Sequence, residues 1–193
     1  SAGFVNWKTL VEPLADELGL DIEKEKDFVA LAQHYVNYKG NNRHNVTDII
    51  LNEFCKETNP TENHKILARL PIKTYWTTNY DSLIEDALAE EGKIVDIKYT
   101  KKHLAQTRWK RDAIVYKMHG DKNHPDSAIL IKDDYEKYHL QFATYITALS
   151  GDLVSKTFIF MGFSFTDPNL DYVLSRIRIH YEGNQREHYY FIK

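Results

Sequence analysis

Thr74-Tyr75-Trp76-Thr77-Thr78-Asn79-Tyr80-Asp81 is a short β-favouring run that ends in small polar residues and passes at once into the helix-like Tyr80-Asp81-Ser82-Leu83-Ile84-Glu85-Asp86-Ala87-Leu88. Asn79 is therefore expected where a strand feeds a helix, the position at which open α/β sheets place ligands. A second stretch has the same design, with apolar Ala113-Ile114-Val115-Tyr116 leading into Lys117-Met118-His119-Gly120-Asp121. Its histidine falls at a strand end, beside a glycine that lets the backbone turn sharply. Two such ends can converge on one crevice.

Outward from these stretches the chain alternates between strand and helix. Ile66, Leu67 and Leu70 belong to a short helix stopped by Pro71, and residues 72–77 read as the strand. The amphipathic helix that starts at Tyr80 ends near Gly92, and residues 94–97 form the next short strand. Strand, helix, strand alternation of this kind argues for a parallel sheet covered by helices on both faces. Beyond His119 comes a polar turn at 121–127, a brief strand is expected at 129–131, and a helical stretch, with a break, runs from 133 to 153. Residues 157–161 read as the clearest buried strand. Gly162 lets the chain leave it closely past a ligand, and Asp167-Pro168 starts a helix carrying Leu170, Val173, Leu174, Ile177 and Ile179. Residues 188–192 form a last strand.

Upstream, Leu10, Val11, Leu14, Ala15 and Leu18 recur at helical spacing before Gly19 closes the helix. Two more helices follow, one through Phe28, Leu31, Ala32, Tyr35 and Val36, the other through Val46, Ile49, Ile50, Phe54 and Cys55 up to Asn59-Pro60. Residues from about 21 to 70 thus form a helical insertion ahead of the Thr74 strand, either packed as core or serving as a lid over a ligand.

The totals bound the function. At 193 residues, 42% hydrophobic and 13% aromatic, the chain fits a single globular domain. With 25 Lys+Arg against 28 Asp+Glu, a net charge of -3 exerts no overall pull on a nucleic-acid backbone. The one basic stretch, residues 98–111, interleaves Lys98, Lys101, Lys102, Arg108, Lys110 and Arg111 with Tyr99 and Trp109, as a single-strand contact or as a solvated connection. Cys55 is the sole cysteine, which excludes a disulfide framework and a Cys-x-x-Cys zinc module. No apolar run reaches the roughly 18 residues of a membrane span. No export signal is visible, so Asn45-Val46-Thr47 is taken as a chance glycosylation pattern and the expected location is cytoplasmic.

Three elements together, Thr77-Thr78-Asn79-Tyr80-Asp81, His119-Gly120 and Gly162-Phe163-Ser164, closely resemble the sirtuin-like NAD-consuming domains, especially the branch found in bacterial antiphage defence. Their order and spacing at expected strand ends make the match specific. The resemblance implies a Rossmann-like α/β domain over 1–193, without the zinc module of the deacylating sirtuins. It implies NAD as the substrate, no metal, Asn79 and His119 as catalytic residues, and Thr78, Asp81, Gly162 and Ser164 as cofactor contacts. Related domains open with a strand and a Gly-rich phosphate loop. Residues 3–7 match the segment after that loop, so the chain is expected to be a fragment of a longer one. Gly3, Asn6 and Trp7 join the expected cofactor contacts, Trp7 as an aromatic lining the nicotinamide pocket. The implied partners are NAD, further copies of the chain, and a sensor domain or partner protein.

The residue types suit that chemistry. Cleaving the glycosidic bond of NAD requires the nicotinamide ribose to be gripped while an oxocarbenium-like centre develops, followed by attack of water or another nucleophile. The Asn79 amide both donates and accepts hydrogen bonds without adding charge. His119 is of the residue type that most often takes up a proton in catalysis. Each assignment has a structural counterpart: Asn6 as a helix N-cap, Trp7 as core, Asp81 as a cap of the following helix, His119 as a structural histidine, Gly162 and Ser164 as a tight turn. For the whole chain the rivals are a noncatalytic NAD or ADP-ribose sensor or assembly module and a protein deacylase.

Overall fold

The computed structural model describes residues 4–54, 56, 58–162, 168–181 and 186–191. The elements run α1 (Trp7–Leu18), α2 (Phe28–Tyr38), α3 (His44–Phe54), α4 (Glu62–Arg69), β1 (Thr74–Thr77), α5 (Leu83–Glu90), β2 (Val95–Lys98), α6 (Lys101–Ala105), β3 (Ala113–Lys117), α7 (Lys132–Gln141), α8 (Ala143–Ser155), β4 (Ile159–Met161), α9 (Pro168–Tyr181) and β5 (Tyr189–Phe191). The class is α/β, with parallel sheets and flanking helices. The chain falls into two compact units, residues 1–134 and 135–193.

In the first unit the helix ends follow local chemistry. The Thr9 amide donates to Asn6 Oδ1 at 2.9 Å, and Gly19 closes α1 in the left-handed conformation at φ 68°. Asp27 caps α2 through the Ala30 amide. The buried faces of α1, α2 and α3 form one core, which also takes in Tyr80, Ala128, Leu130 and Ile131, so the helical insertion is packed onto the segments that follow β1 and β3.

The sheet of this unit is wholly parallel, in the order β1-β3-β2. A second core lies where α4 and α5 meet it, built from Ala68, Tyr75, Ala87, Leu88, Val95, Ala113 and Val115. Along β3 burial alternates, with Ala113, Val115 and Lys117 inward. The inward lysine ends an otherwise apolar row.

Two expectations for this unit are corrected. The helix after β1 begins at Leu83, not at Tyr80. Tyr80 is buried with its phenol donating to the Ile129 carbonyl at 2.6 Å, and the Asp81 carboxylate receives the Leu83 amide at 3.0 Å, so neither residue is free to join the helix. Residues 129–131 are buried but form no strand. The Leu130 and Ile131 amides donate to the Asp134 carboxylate at 2.9 and 3.2 Å, and Ile129 donates to the His119 carbonyl at 2.9 Å, which uses the groups a sheet neighbour would need.

In the second unit α8 buries Tyr145, Leu149 and Leu153, and α9 packs against α8 through a face that includes Leu170, Val173 and Ile177. The expected break in the helical stretch falls at Phe142, between α7 and α8. β4 and β5 pair in parallel, Ile159 with Tyr189 through Met161 with Phe191. The expected buried strand is shorter and more open than its composition suggests, with Ile159 60% and Met161 43% exposed. Among the described residues β5 is the one strand paired with it. Among the described residues no helix is long and apolar enough to cross a membrane.

Candidate active site

The register of β1 and β3 builds the site. Thr77 lies opposite Lys117, and the Met118 amide extends the ladder by donating to the Thr77 carbonyl at 2.9 Å. Asn79 and His119 each follow two residues after that last pair. Because the strands are parallel, both follow the same, C-terminal end of the sheet.

Each side of this edge is held. The Asn79 amide donates to the Thr77 hydroxyl at 3.0 Å, and the Asn79 side chain is exposed, making no hydrogen bond among the described residues. His119 is 4% exposed. Gly120 follows it at φ 104°, and a Cβ there would lie 2.7 Å from the Ser127 carbonyl oxygen and 2.9 Å from Ala128 Cα, so glycine alone lets the histidine segment pack this closely.

Cross-links join the two segments. The Lys122 amide donates to the Tyr80 carbonyl at 3.0 Å, while the Tyr80 phenol reaches Ile129, whose amide returns to His119. Beneath them Lys117, with a fully buried side chain, donates from Nζ to the carbonyls of Tyr80 at 3.0 Å and Asp81 at 2.5 Å. The same ammonium lies 2.6 Å from Asp121 Oδ2 and 3.1 Å from Glu85 Oε1. Burial pushes the Glu85 carboxyl above its ordinary range, outweighing the pull of Lys117.

The other expected site residues are placed as follows. Thr78 is half-buried between Thr77 and Asn79, and Asp81 is buried with its carboxylate on the Leu83 amide. Asn6 caps α1, and Trp7 is half-buried against the helical core. Gly162 follows β4 at φ 63°. Gly3 and Ser164 lie outside the described residues. Half of the basic stretch is tied back: Lys98 pairs with Asp96 at 2.7 Å, Arg108 donates to the Val95 carbonyl at 2.8 Å, and Arg111 reaches Asp96 at 2.8 Å, while Lys101, Lys102 and Lys110 are exposed. Trp109 remains 82% exposed. Among the described residues no cluster of three or more His, Cys, Asp or Glu could hold a metal.

Sequence reasoning passed over Tyr80, Glu85 and Lys117. For Lys117 a signal was present, since a lysine continues the period-two row Ala113, Val115 that faces the core.

Comparison with known proteins accords with this geometry. Residues 73–193 match the family model described as SIR2-like domain. The NAD(+) hydrolase ThsA of Bacillus cereus (strain MSX-D12) is 65% identical over 193 residues, covering 100% of this chain and 40% of that protein. The protein of the same name from Cytobacillus dafuensis is 50% identical over 193 residues, covering 100% of this chain and 39% of that protein. Defense-associated sirtuin 2 of Bacillus subtilis is 27% identical over 184 residues, 91% of this chain and 18% of that protein. The chain thus spans about two fifths of the length of these two relatives, and the match runs over the whole of this chain. With its paired strand ends and a family match over most of its length, the chain belongs to the SIR2-like domain family.

Proposed function

We propose that this chain is the catalytic part of an NAD glycohydrolase, releasing nicotinamide and leaving ADP-ribose or a cyclised form. The observation that carries the reading is the register Thr77 to Lys117, from which Asn79 and His119 emerge at one sheet edge. Relatives named NAD(+) hydrolase match along the entire chain, which supports the same substrate here. Asn79 holds a ribose hydroxyl or the attacking water through its amide, and His119 accepts the proton released as the new bond forms. Nicotinamide departs neutral, so no strong acid is required of the site. Thr78, Asp81, Gly162 and Ser164, with Gly3, Asn6 and Trp7, complete the proposed cofactor contacts.

As its wider role we propose an effector of antiphage defence that depletes NAD, working in the cytoplasm as a homo-oligomer under a sensor domain or partner protein; the relative named Defense-associated sirtuin 2 supports the defence part of this reading. The test is nicotinamide release by the intact protein and its Asn79→Ala and His119→Ala variants. Each substitution should cut turnover by about a hundredfold or more, since a general base such as His119 and a preorganised hydrogen-bonding group such as Asn79 each contribute on that scale. Turnover at the parent rate in both variants refutes the site. NAD binding without turnover by the parent would favour a sensor, and NAD-dependent acyl loss from an acyl-lysine peptide would favour a deacylase.

A further inference from the structure

Lys117 is the one fully buried ammonium of the first unit's strand β3, two residues ahead of His119. A cation is costly to bury unless it is paired and hydrogen-bonded, and here it has both kinds of partner. The Asp121 carboxylate neutralises it at 2.6 Å, Glu85 Oε1 lies 3.1 Å away, and the Tyr80 and Asp81 carbonyls accept its hydrogen bonds at 3.0 and 2.5 Å. Both carbonyls belong to the two residues directly after Asn79. Asp121 lies two residues after His119.

We infer that Lys117 is a positioning residue for the reaction, its ammonium locking the Asn79 segment and the His119 segment into one geometry at the sheet edge. The inference rests on the proposed NAD-cleaving site. Asn79 is held ahead by the Thr77 hydroxyl, on its amide at 3.0 Å, and behind by Lys117, on the next two carbonyls. The His119 segment is held ahead by Lys117 itself, as the strand residue, and behind by Asp121. A backbone hydrogen-bond ladder sets strand register, but it ends at Met118 on Thr77. Past that point the ammonium ties the two segments from beneath, beside the Lys122 amide on the Tyr80 carbonyl at 3.0 Å. Its loss should leave NAD binding largely intact and spoil alignment of the reacting groups, and a misplacement of about 1 Å can cost on the order of a hundredfold in rate.

Steady-state nicotinamide release as a function of NAD concentration, on the intact protein, tests this with Lys117→Met, Lys117→Arg, Asn79→Ala and His119→Ala. Val115→Ala, in the core two residues back on the same strand, serves as a stability control. Rates are taken per folded molecule, well below each melting midpoint. Lys117→Met should lower kcat about tenfold or more with KM changed less than about threefold, the pattern of an interaction that matters in the transition state. Lys117→Arg, which keeps a cation, should recover part of that loss. Val115→Ala should melt lower yet keep the parent kcat. If Lys117→Met does not fold, the Lys117→Met/Glu85→Gln/Asp121→Asn variant is read by the same criteria, with Asp121→Asn in place of the parent. A folded variant within about twofold of the parent kcat, or a loss no larger than that of Val115→Ala at matched destabilisation, overturns the inference. Should Asn79→Ala and His119→Ala keep the parent rate, the site itself falls and this role with it. Should they be silent while the Lys117 variant is not, the Lys117 role alone is lost.

Discussion

Replacing Gly120 by alanine probes how tightly the histidine segment is packed. At φ 104° the backbone is in a region that side chains rarely enter, and the new Cβ would lie 2.7 Å from the Ser127 oxygen and 2.9 Å from both Ser127 C and Ala128 Cα. All three neighbours are backbone atoms, so no side-chain rotation relieves the overlap. Holding a non-glycine residue in such a conformation costs about 1–3 kcal/mol. Overpacking adds about 1–3 kcal/mol, so Gly120→Ala should destabilise by roughly 2–6 kcal/mol in total. For a chain of this size each kcal/mol moves the melting midpoint by about 2–4 °C, which sets a drop of at least about 4 °C. Relief of the clash must shift either residues 127–128 or His119, and the second route also lowers NAD turnover. Circular dichroism melts with nicotinamide release on the same samples measure both. A variant that melts within about 1 °C of the parent would refute the claim that this turn is built around the absence of a side chain.

Two further substitutions test the surroundings of the site. Tyr80→Phe removes the buried donor to Ile129 at 2.6 Å and should cost about 1–3 kcal/mol in chemical denaturation, because the carbonyl is left unsatisfied; a variant as stable as the parent contradicts that. Glu85→Gln tests the raised carboxyl beside Lys117. A folded-state pKa above the ordinary 4.5 contributes stability that is complete below that value and lost as pH rises through the raised pKa. The urea midpoint of the glutamine variant should therefore gain on the parent's as pH rises from below 4.5, and a difference that stays constant with pH counts against the assignment.

Much of the fold is legible because it is local. The caps at Asn6 and Gly19, the stop at Pro71 and the break at Phe142 depend on residues within a turn or two of themselves. The start of α5 was misplaced because Tyr80 is drawn into the core by Ile129, forty-nine positions away in the chain. Residues 129–131 misled for a related reason: they have the apolar content of a strand, and Asp134 and His119 consume their backbone groups. The openness of β4 was equally hidden, since Ile159, Phe160 and Met161 carry no sign of which neighbours cover them.

By itself the sequence determined that two strand ends carry an amide and an imidazole, since apolar runs, polar ends and a following glycine are properties of short segments. Which ends meet was decided only in three dimensions. Chain order would set β2 beside β1, yet β3 lies between them. β3 is the most apolar of the three, and its place in the middle rests on packing against α4 and α5 and on ladder bonds to β1 between residues about forty positions apart. That insertion of β3 puts Thr77 next to Lys117, and so brings the segments that carry Asn79 and His119 to the same end of the sheet.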